Sequence, residues 1–171
     1  MREAAVALLI RPRAQLELLL IKRAIHERDP WSGHMALPGG RRDASDASLI
    51  ETAMREAQEE VGIALSRDDF ICALDDVAPR TPRLPPIVIA PFVFAVPADA
   101  ATMIDTREVD AAIWVPVHAL RDETAASEIL IELEGGSRSF PSFQYGEYVI
   151  WGLTHRILSG FLEMTVGISG A

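Results

Sequence analysis

Leu37–Ile63 reads LPGGRRDASDASLIETAMREAQEEVGI. It opens on a Pro-Gly-Gly turn and closes with Glu56, Glu59 and Glu60 crowded just ahead of Gly62. From about Ala47 to Val61 the spacing predicts a helix, because Ile50, Ala53, Met54, Ala57 and Val61 recur at helical intervals. Asp46 or Ser45 is placed to cap its start, and Gly62 to stop it. The i, i+3 and i+4 spacing puts Glu56, Glu59 and Glu60 within about 100° of one another on the helix, beside the apolar stripe. One flank is therefore anchored and the acidic flank is presented. Arg55 and Glu59 lie one turn apart and can pair. Like charges on one face repel unless they face water or enclose a cation. Solvated acidic faces are common, and a Gly-Gly pair alone is usually just a turn. Here the two stand together, and the glycines let backbone come close to a ligand. Donors that are all oxygen suit a hard ion, Mg²⁺ or Mn²⁺, rather than a thiolate-seeking metal.

Outward from this helix, residues 4–10 (AAVALLI) and 16–23 (LELLLIKR) are predicted strands joined by a turn. Residues 24–34 are loop, and 35–40 are a short strand entering the glycine turn. Strands are predicted again at 69–78, 87–96 and 109–117, with a proline-rich loop at 79–86 and a short helix or turn opening at HALRD. Residues 127–146 read as a hairpin about Gly135-Gly136, and 147–164 as an amphipathic helix. Strands outnumber helices, so the expected fold class is α+β, a sheet sandwiched by helices. No repeat or linker interrupts the 171 residues, a length expected of one domain, 1–171.

Hydrophobic residues are 49% and charged residues 24% of the chain, as in ordinary globular proteins. A formal charge of −9 disfavours nucleic acid and anionic membrane surfaces as partners. An acidic protein that handles phosphate needs metal ions or local arginines. Cys72 is the only cysteine, which rules out an intrachain disulfide or a cysteine-built zinc cluster and suggests a reducing compartment. The apolar run in MREAAVALLIRP is short for a secretory leader, and no segment approaches the ~20 apolar residues of a membrane span. The expectation is a soluble cytoplasmic protein.

Taken together, the glycine turn and the acidic helix resemble the Nudix box, G-x5-E-x7-R-E-U-x-E-E-x-G-U with U aliphatic. Gly40, Arg55, Glu56, Ala57, Glu59, Glu60, Gly62 and Ile63 match it. Asp46 stands where the box has its first glutamate, and eight residues rather than seven separate it from Arg55. Whether Asp46 takes the glutamate's part is open at this level. The resemblance implies an α/β/α sandwich with a mixed central sheet, and hydrolysis of a nucleoside diphosphate linked to another moiety. It also implies that Glu56, Glu59 and Glu60 bind Mg²⁺ or Mn²⁺ and that Arg55 orients one of them.

The expanded box with Asp is similar to the coenzyme A diphosphatase-like branch of that family. An upstream element of that branch has counterparts at Leu19, Leu20, Arg23, Ala24, Arg28, Gly33, Leu37, Pro38, Gly39 and Gly40. Here four residues rather than three separate Arg28 from Gly33, and Leu37 replaces Phe. IWGLTHRIL, residues 150–158, resembles that branch's C-terminal helix. Coenzyme A or a derivative is the implied substrate. ADP-ribose, NADH, sugar nucleotides, dinucleotides and dNTPs are the alternatives within the family, as is a non-catalytic nucleotide-binding regulator. The complete glutamate set argues against the last. A homodimer is open, since the family is often dimeric.

Other residues complete the expected site. Arg23, Arg28, Arg41 and Arg42 form a local positive island suited to phosphates, which Arg80 and Arg83 would extend. Gly39 and Gly40 are expected to open a path for phosphate. The general base is expected at Glu59 or at Glu108, which is also a candidate metal ligand. Trp31 reads as a loop anchor rather than a base stacker, Trp114 and Trp151 as core, and His34 as a loop hydrogen-bonder. His26, His118 and His155 lack metal-ligand spacing, Cys72 reads as a buried small hydrophobe, and Ser32 lacks a nucleophile's context.

Overall fold

A computed structural model describes residues 2–27, 32–80, 86–133 and 135–167. The expectations placed on Arg28, Trp31 and Arg83 lie outside these described residues. The central strand is β1 (Arg2–Pro12), which runs antiparallel to β2 (Leu16–Arg23). Strands β3 (Met35–Ala36) and β4 (Gly39–Arg41) pair antiparallel with β2 and β1 respectively. β5 (Phe70–Ala73) is antiparallel to β6 (Ile87–Ala95), which lies parallel to β1, and β7 (Val109–Pro116) is antiparallel to β2. The result is a mixed seven-stranded sheet. A second, three-stranded antiparallel sheet contains β8 (Ala126–Leu133), β9 (Gly136–Tyr145) and β10 (Tyr148–Trp151). The helices are α1 (Leu49–Val61), α2 (Val117–Arg121) and α3 (Gly152–Met164).

Alternation along the central strands explains why both faces are covered. On one face Ala5, Ala7, Leu9, Leu19, Ile21 and Phe94 pack against Ala53, Ala57 and Val61 of α1. On the other, Leu8, Leu18, Leu20 and Val93 pack against Ile157, Leu158 and Phe161 of α3. A strand buried on both faces reads as a continuous apolar run, as AAVALLI does. Each large aliphatic side chain so buried contributes roughly 1.5–3 kcal/mol. Ala53 and Ala57 are fully buried, so the α1 backbone lies close on the sheet with no long side chain to hold it off. This closeness sets the helix's acidic flank beside β4. The α+β sandwich anticipated from the sequence is the observed fold.

Three local expectations change. Residues 147–164 are not one helix: Tyr148–Trp151 is a strand paired with β9, Ile150 opposite Phe143. Aromatic and β-branched residues favour that pleated surface, and Gly146 (φ 57°) and Gly152 (φ 66°) take the turns on either side. The mid-chain helix starts at Leu49 with Ser48 at its N-cap position, so neither Asp46 nor Ser45 caps it. The 69–78 strand shortens to Phe70–Ala73, followed by an isolated bridge from Val77 to Ile89. Among the described residues no helix is long and apolar enough to cross a membrane.

Enlarging a helix residue pressed against the sheet should lift α1. Ala57→Leu is expected to cost about 1–3 kcal/mol of stability. A lower urea midpoint with unchanged slope would register it.

Candidate functional site

The site is built where α1 meets β4. Gly62 stops the helix in the left-handed region (φ 69°) and donates its N–H back to the Gln58 carbonyl, as anticipated. The chain beyond is then tied to the helix end: Met103 N–H donates to the Val61 carbonyl and Asp105 N–H to the Glu60 carbonyl, at 2.8 and 3.0 Å. The same segment carries Glu108, whose carbonyl accepts from Ala24 N–H at 2.9 Å at the end of β2.

Arg55 is the hub. A guanidinium has five N–H donors, and each finds an acceptor here. Nε and Nη2 grip the two Asp46 oxygens at 3.0 Å each, and Nη2 also reaches the Arg41 carbonyl at 3.1 Å. Nη1 donates to Glu56 Oε1 and Glu59 Oε2 at 2.9 Å each. Asp46 also accepts from Thr52 Oγ1 and Asp43 N–H, both at 2.9 Å. The Arg55 hydrogen bonds hold the Asp46 carboxyl well below the usual carboxylate range, against the opposing effect of burial. Asp46 is thus held in place by Arg55, Thr52 and the Asp43 N–H. Sequence reasoning missed Thr52, which is fully buried beneath Asp46; its spacing to Arg55, one turn along α1, was the available signal.

Glu60 is in the opposite situation. It is 3% exposed and accepts one hydrogen bond, from Gly39 N–H at 2.9 Å. Burial pushes its carboxyl up to about 8, with the negative charges of Glu56 and Glu108 adding to the effect. The Gly39 hydrogen bond and the charge of Arg23 oppose it only in part. Burial likewise raises Glu56, opposed by Arg55 and reinforced by Glu59 and Glu108. Glu56, Glu60 and Glu108 thus share one electrostatic neighbourhood, while the Glu59 side chain is 53% exposed. Among the described residues no three His, Cys, Asp or Glu side chains stand gathered as a ready ion cage. The α1 carboxylates are instead turned to Arg55 and Gly39. The donor set is nonetheless all oxygen, partly buried and mutually repulsive, which fits a hard divalent cation.

Gly39 and Gly40 serve the carboxylates before any phosphate. Gly39 gives its N–H to Glu60, and a β-carbon there would strike the Ala5 carbonyl. A β-carbon at Gly40 would strike the Glu56 carboxylate. The arginine island divides. Arg23 acts on Glu60, and Arg41 ends β4 with an exposed side chain. Arg42 braces the loop instead, donating to Glu3 Oε2 at 3.1 Å and the Ala47 carbonyl at 3.2 Å. Arg80 is exposed, and Arg156 donates to the Ala78 carbonyl at 2.7 Å. Trp114 is half-buried and packs against the cluster under α1, with the Arg11 guanidinium 4.0 Å from its ring, whereas Trp151 is half-buried and, among the described residues, outside both clusters.

Residues 1–133 match the family model described as NUDIX domain. A Salmonella paratyphi B protein named "Uncharacterized Nudix hydrolase NudL" is 33% identical over 167 residues, 98% of this chain and 84% of that protein. An uncharacterised Schizosaccharomyces pombe protein is 37% identical over 131 residues, or 74% of this chain, and the match spans 40% of its length. Among solved structures, a MutT/nudix family protein from Enterococcus faecalis aligns with a TM-score of 0.68 at 18% identity, covering 96% of this chain and 62% of that one. The NUDIX domain of Shewanella oneidensis NrtR, solved with ADP ribose, aligns with a TM-score of 0.54 at 25% identity, covering 68% and 73%.

Asp46→Asn keeps the shape of the Arg55 partner and removes its charge. It is expected to cost about 2 kcal/mol at pH 7. The folded-state value of Asp46 is depressed, so its contribution is full above the unfolded carboxyl value of ~4 and fades as pH falls below it. Urea unfolding at pH 7 and pH 3 should therefore show the gap between wild type and Asp46→Asn narrowing in acid.

Proposed function

The chain belongs to the Nudix hydrolase family, and we propose that it is a metal-dependent pyrophosphohydrolase of a nucleoside diphosphate linked to a second moiety, coenzyme A or a derivative. The observation that carries the reading is Glu60: a buried carboxylate, beside Glu56 and within the field of Glu108, with one N–H to compensate it. Such a group is costly in a protein that has no use for a cation at that point. The substrate assignment is supported by the Asp-bearing expanded box and the upstream residues Arg23, Gly33, Leu37, Pro38, Gly39 and Gly40.

Glu56 and Glu60 would hold Mg²⁺ or Mn²⁺ from the helix, with Glu59 joining from the solvent side. The chemistry such an ion supplies is neutralisation of the diphosphate and acidification of a water for in-line attack on phosphorus. Arg55 positions Glu56 and Glu59 through its two Nη1 hydrogen bonds. Arg23, whose charge lowers Glu60, and Arg41, at the end of β4, would bind phosphate oxygens. Of the two expected bases, Glu59 is bound to Arg55 and Glu108 adds its charge to Glu56 and Glu60, which favours Glu108. In this scheme the attacking water's proton passes to Glu108 as the new P–O bond forms and the anhydride P–O bond breaks.

Glu60→Gln preserves an acceptor for Gly39 N–H and removes a charge that burial disfavours, so it should fold at least as stably as wild type. Its kcat/KM is expected to fall at least ~100-fold, and Glu56→Gln and Glu108→Gln should also fall. A panel of coenzyme A, ADP-ribose, NADH, diadenosine polyphosphates and dNTPs with each metal tests the substrate. Release of 4′-phosphopantetheine and adenosine 3′,5′-bisphosphate is the expected result. Failure to cleave any nucleoside diphosphate, or near wild-type turnover by Glu60→Gln, would overturn the reading.

A further inference from the structure

Past Lys22 the ladder between β2 and β7 loses its regular register, and Arg23 stands opposite Val109 across an irregularity. One more backbone bond follows, from Ala24 N–H to the Glu108 carbonyl at 2.9 Å. An antiparallel ladder would next draw on the N–H of His26, two residues along. That N–H is diverted. It donates to Ser32 Oγ at 2.7 Å, and the Ser32 hydroxyl reaches the Ala24 carbonyl at 3.4 Å. The His26 ring takes over, with Nε2 lying 2.8 Å from the Arg107 carbonyl. A carbonyl can only accept, so Nε2 carries a proton and donates it. A side chain thus extends a strand pairing that the backbone has given up.

The segment so held is the turn that carries Glu108. Glu108 N–H and Val109 N–H both donate to the Asp105 carbonyl, at 3.0 and 2.9 Å. The Arg107 guanidinium grips the Asp105 carboxylate, Nε to Oδ1 at 2.9 Å and Nη2 to Oδ2 at 2.6 Å. At one end the turn hangs on the acidic helix, through Asp105 N–H to the Glu60 carbonyl at 3.0 Å. At the other it hangs on the exit of β2, through Ala24 and His26. Glu108 is exposed, so its carboxylate is placed by the backbone of this turn and not by packing. His26 is exposed too, so its ring fills no space in the core.

We propose that His26 is a positioning residue for Glu108, acting through the Arg107 carbonyl to hold the Asp105–Glu108 turn against the exit of β2. The role rests on the hydrolase reading, in which Glu108 is the base. A general base has to stay within hydrogen-bond reach of the water it deprotonates. A carboxylate on an exposed turn keeps that geometry only when both ends of the turn are fixed. Ser32 holds the His26 backbone, and the ring passes that constraint to the turn.

The test compares the full chain as wild type, His26→Ala, His26→Asn and His26→Gln. A glutamine amide nitrogen falls near the place of imidazole Nε2 and an asparagine nitrogen near that of Nδ1, so only glutamine restores the bond. Hydrogen exchange, read by mass spectrometry without metal or nucleotide, is expected to quicken about fivefold over residues 103–109 in His26→Ala and His26→Asn, and to stay near wild type in His26→Gln. With Mg²⁺ and the nucleotide of the panel above that wild type cleaves fastest, kcat should fall about tenfold in the first two variants, with KM within about twofold, and recover in the third. In a Glu108→Gln background, His26→Ala should cost less than about twofold more, because residues that act as one unit are not additive. Should His26→Ala not fold, the asparagine and glutamine variants carry the same comparison. Unchanged exchange, a full tenfold loss in the Glu108→Gln background, or a loss confined to KM overturns the proposal. Faster exchange rescued by glutamine, in a protein that cleaves no nucleoside diphosphate, supports His26 as the holder of the turn and refutes the hydrolase reading alone.

Discussion

The Arg55 guanidinium is the tie on which the site depends. Its five N–H groups join three pieces of chain that would otherwise be independent: the loop at Asp46, the end of β4 at the Arg41 carbonyl, and the carboxylates of Glu56 and Glu59 on its own helix. A lysine ammonium has three donors and no planar fork, and would leave several of these acceptors unmet. The grip explains the shape of the loop. Aspartate is one methylene shorter than glutamate, and the loop carries one residue more than the common spacing. A turn in which Asp46 N–H donates to the Asp43 carbonyl, while Asp43 N–H donates to the Asp46 carboxylate, presents that carboxylate to Arg55.

Because Arg55 is fully engaged, it does little for Glu60. That carboxylate sits 3% exposed on the same helix, held by Gly39 N–H and eased by Arg23. The site thus carries two kinds of acid. Asp46, Glu56 and Glu59 share the Arg55 guanidinium, while Glu60 is raised by burial and by the charges of Glu56 and Glu108. The contrast shows in their proton affinities: hydrogen bonds from Arg55 depress Asp46, and burial lifts Glu60 to about 8.

Much of this was legible in the sequence, for a physical reason. The apolar stripe of 47–61, the glycine pair and the acidic flank are all local, and their consequences survive folding: Ala53, Ala57 and Val61 are buried, and Gly62 stops the helix. What failed was tertiary. Tyr148–Trp151 can be drawn on one helical wheel with Gly152–Met164, and only pairing with β9 makes it a strand. Glu108 lies 48 residues past Glu60 in the chain, and the pair of backbone hydrogen bonds from Met103 and Asp105 to the helix end brings it back. Arg42 has the same sequence context as Arg41, yet its guanidinium is spent on Glu3 and the loop carbonyls. No spacing rule separates the two.

The placement of these parts has a consequence for how the protein divides its work. Glu56 and Glu60 ride on a helix pressed onto the sheet by alanines, opposite a strand whose glycines pair with β1. Neither element can shift without unpacking one face of the core, so the acidic site is held as rigidly as the fold itself. By contrast β8 and β9, in the second sheet, carry mostly exposed side chains, which can change at little cost to the core. Chemistry common to a family belongs on the first kind of element, and discrimination among its substrates on the second. In this chain Glu56, Glu59 and Glu60 lie on the first.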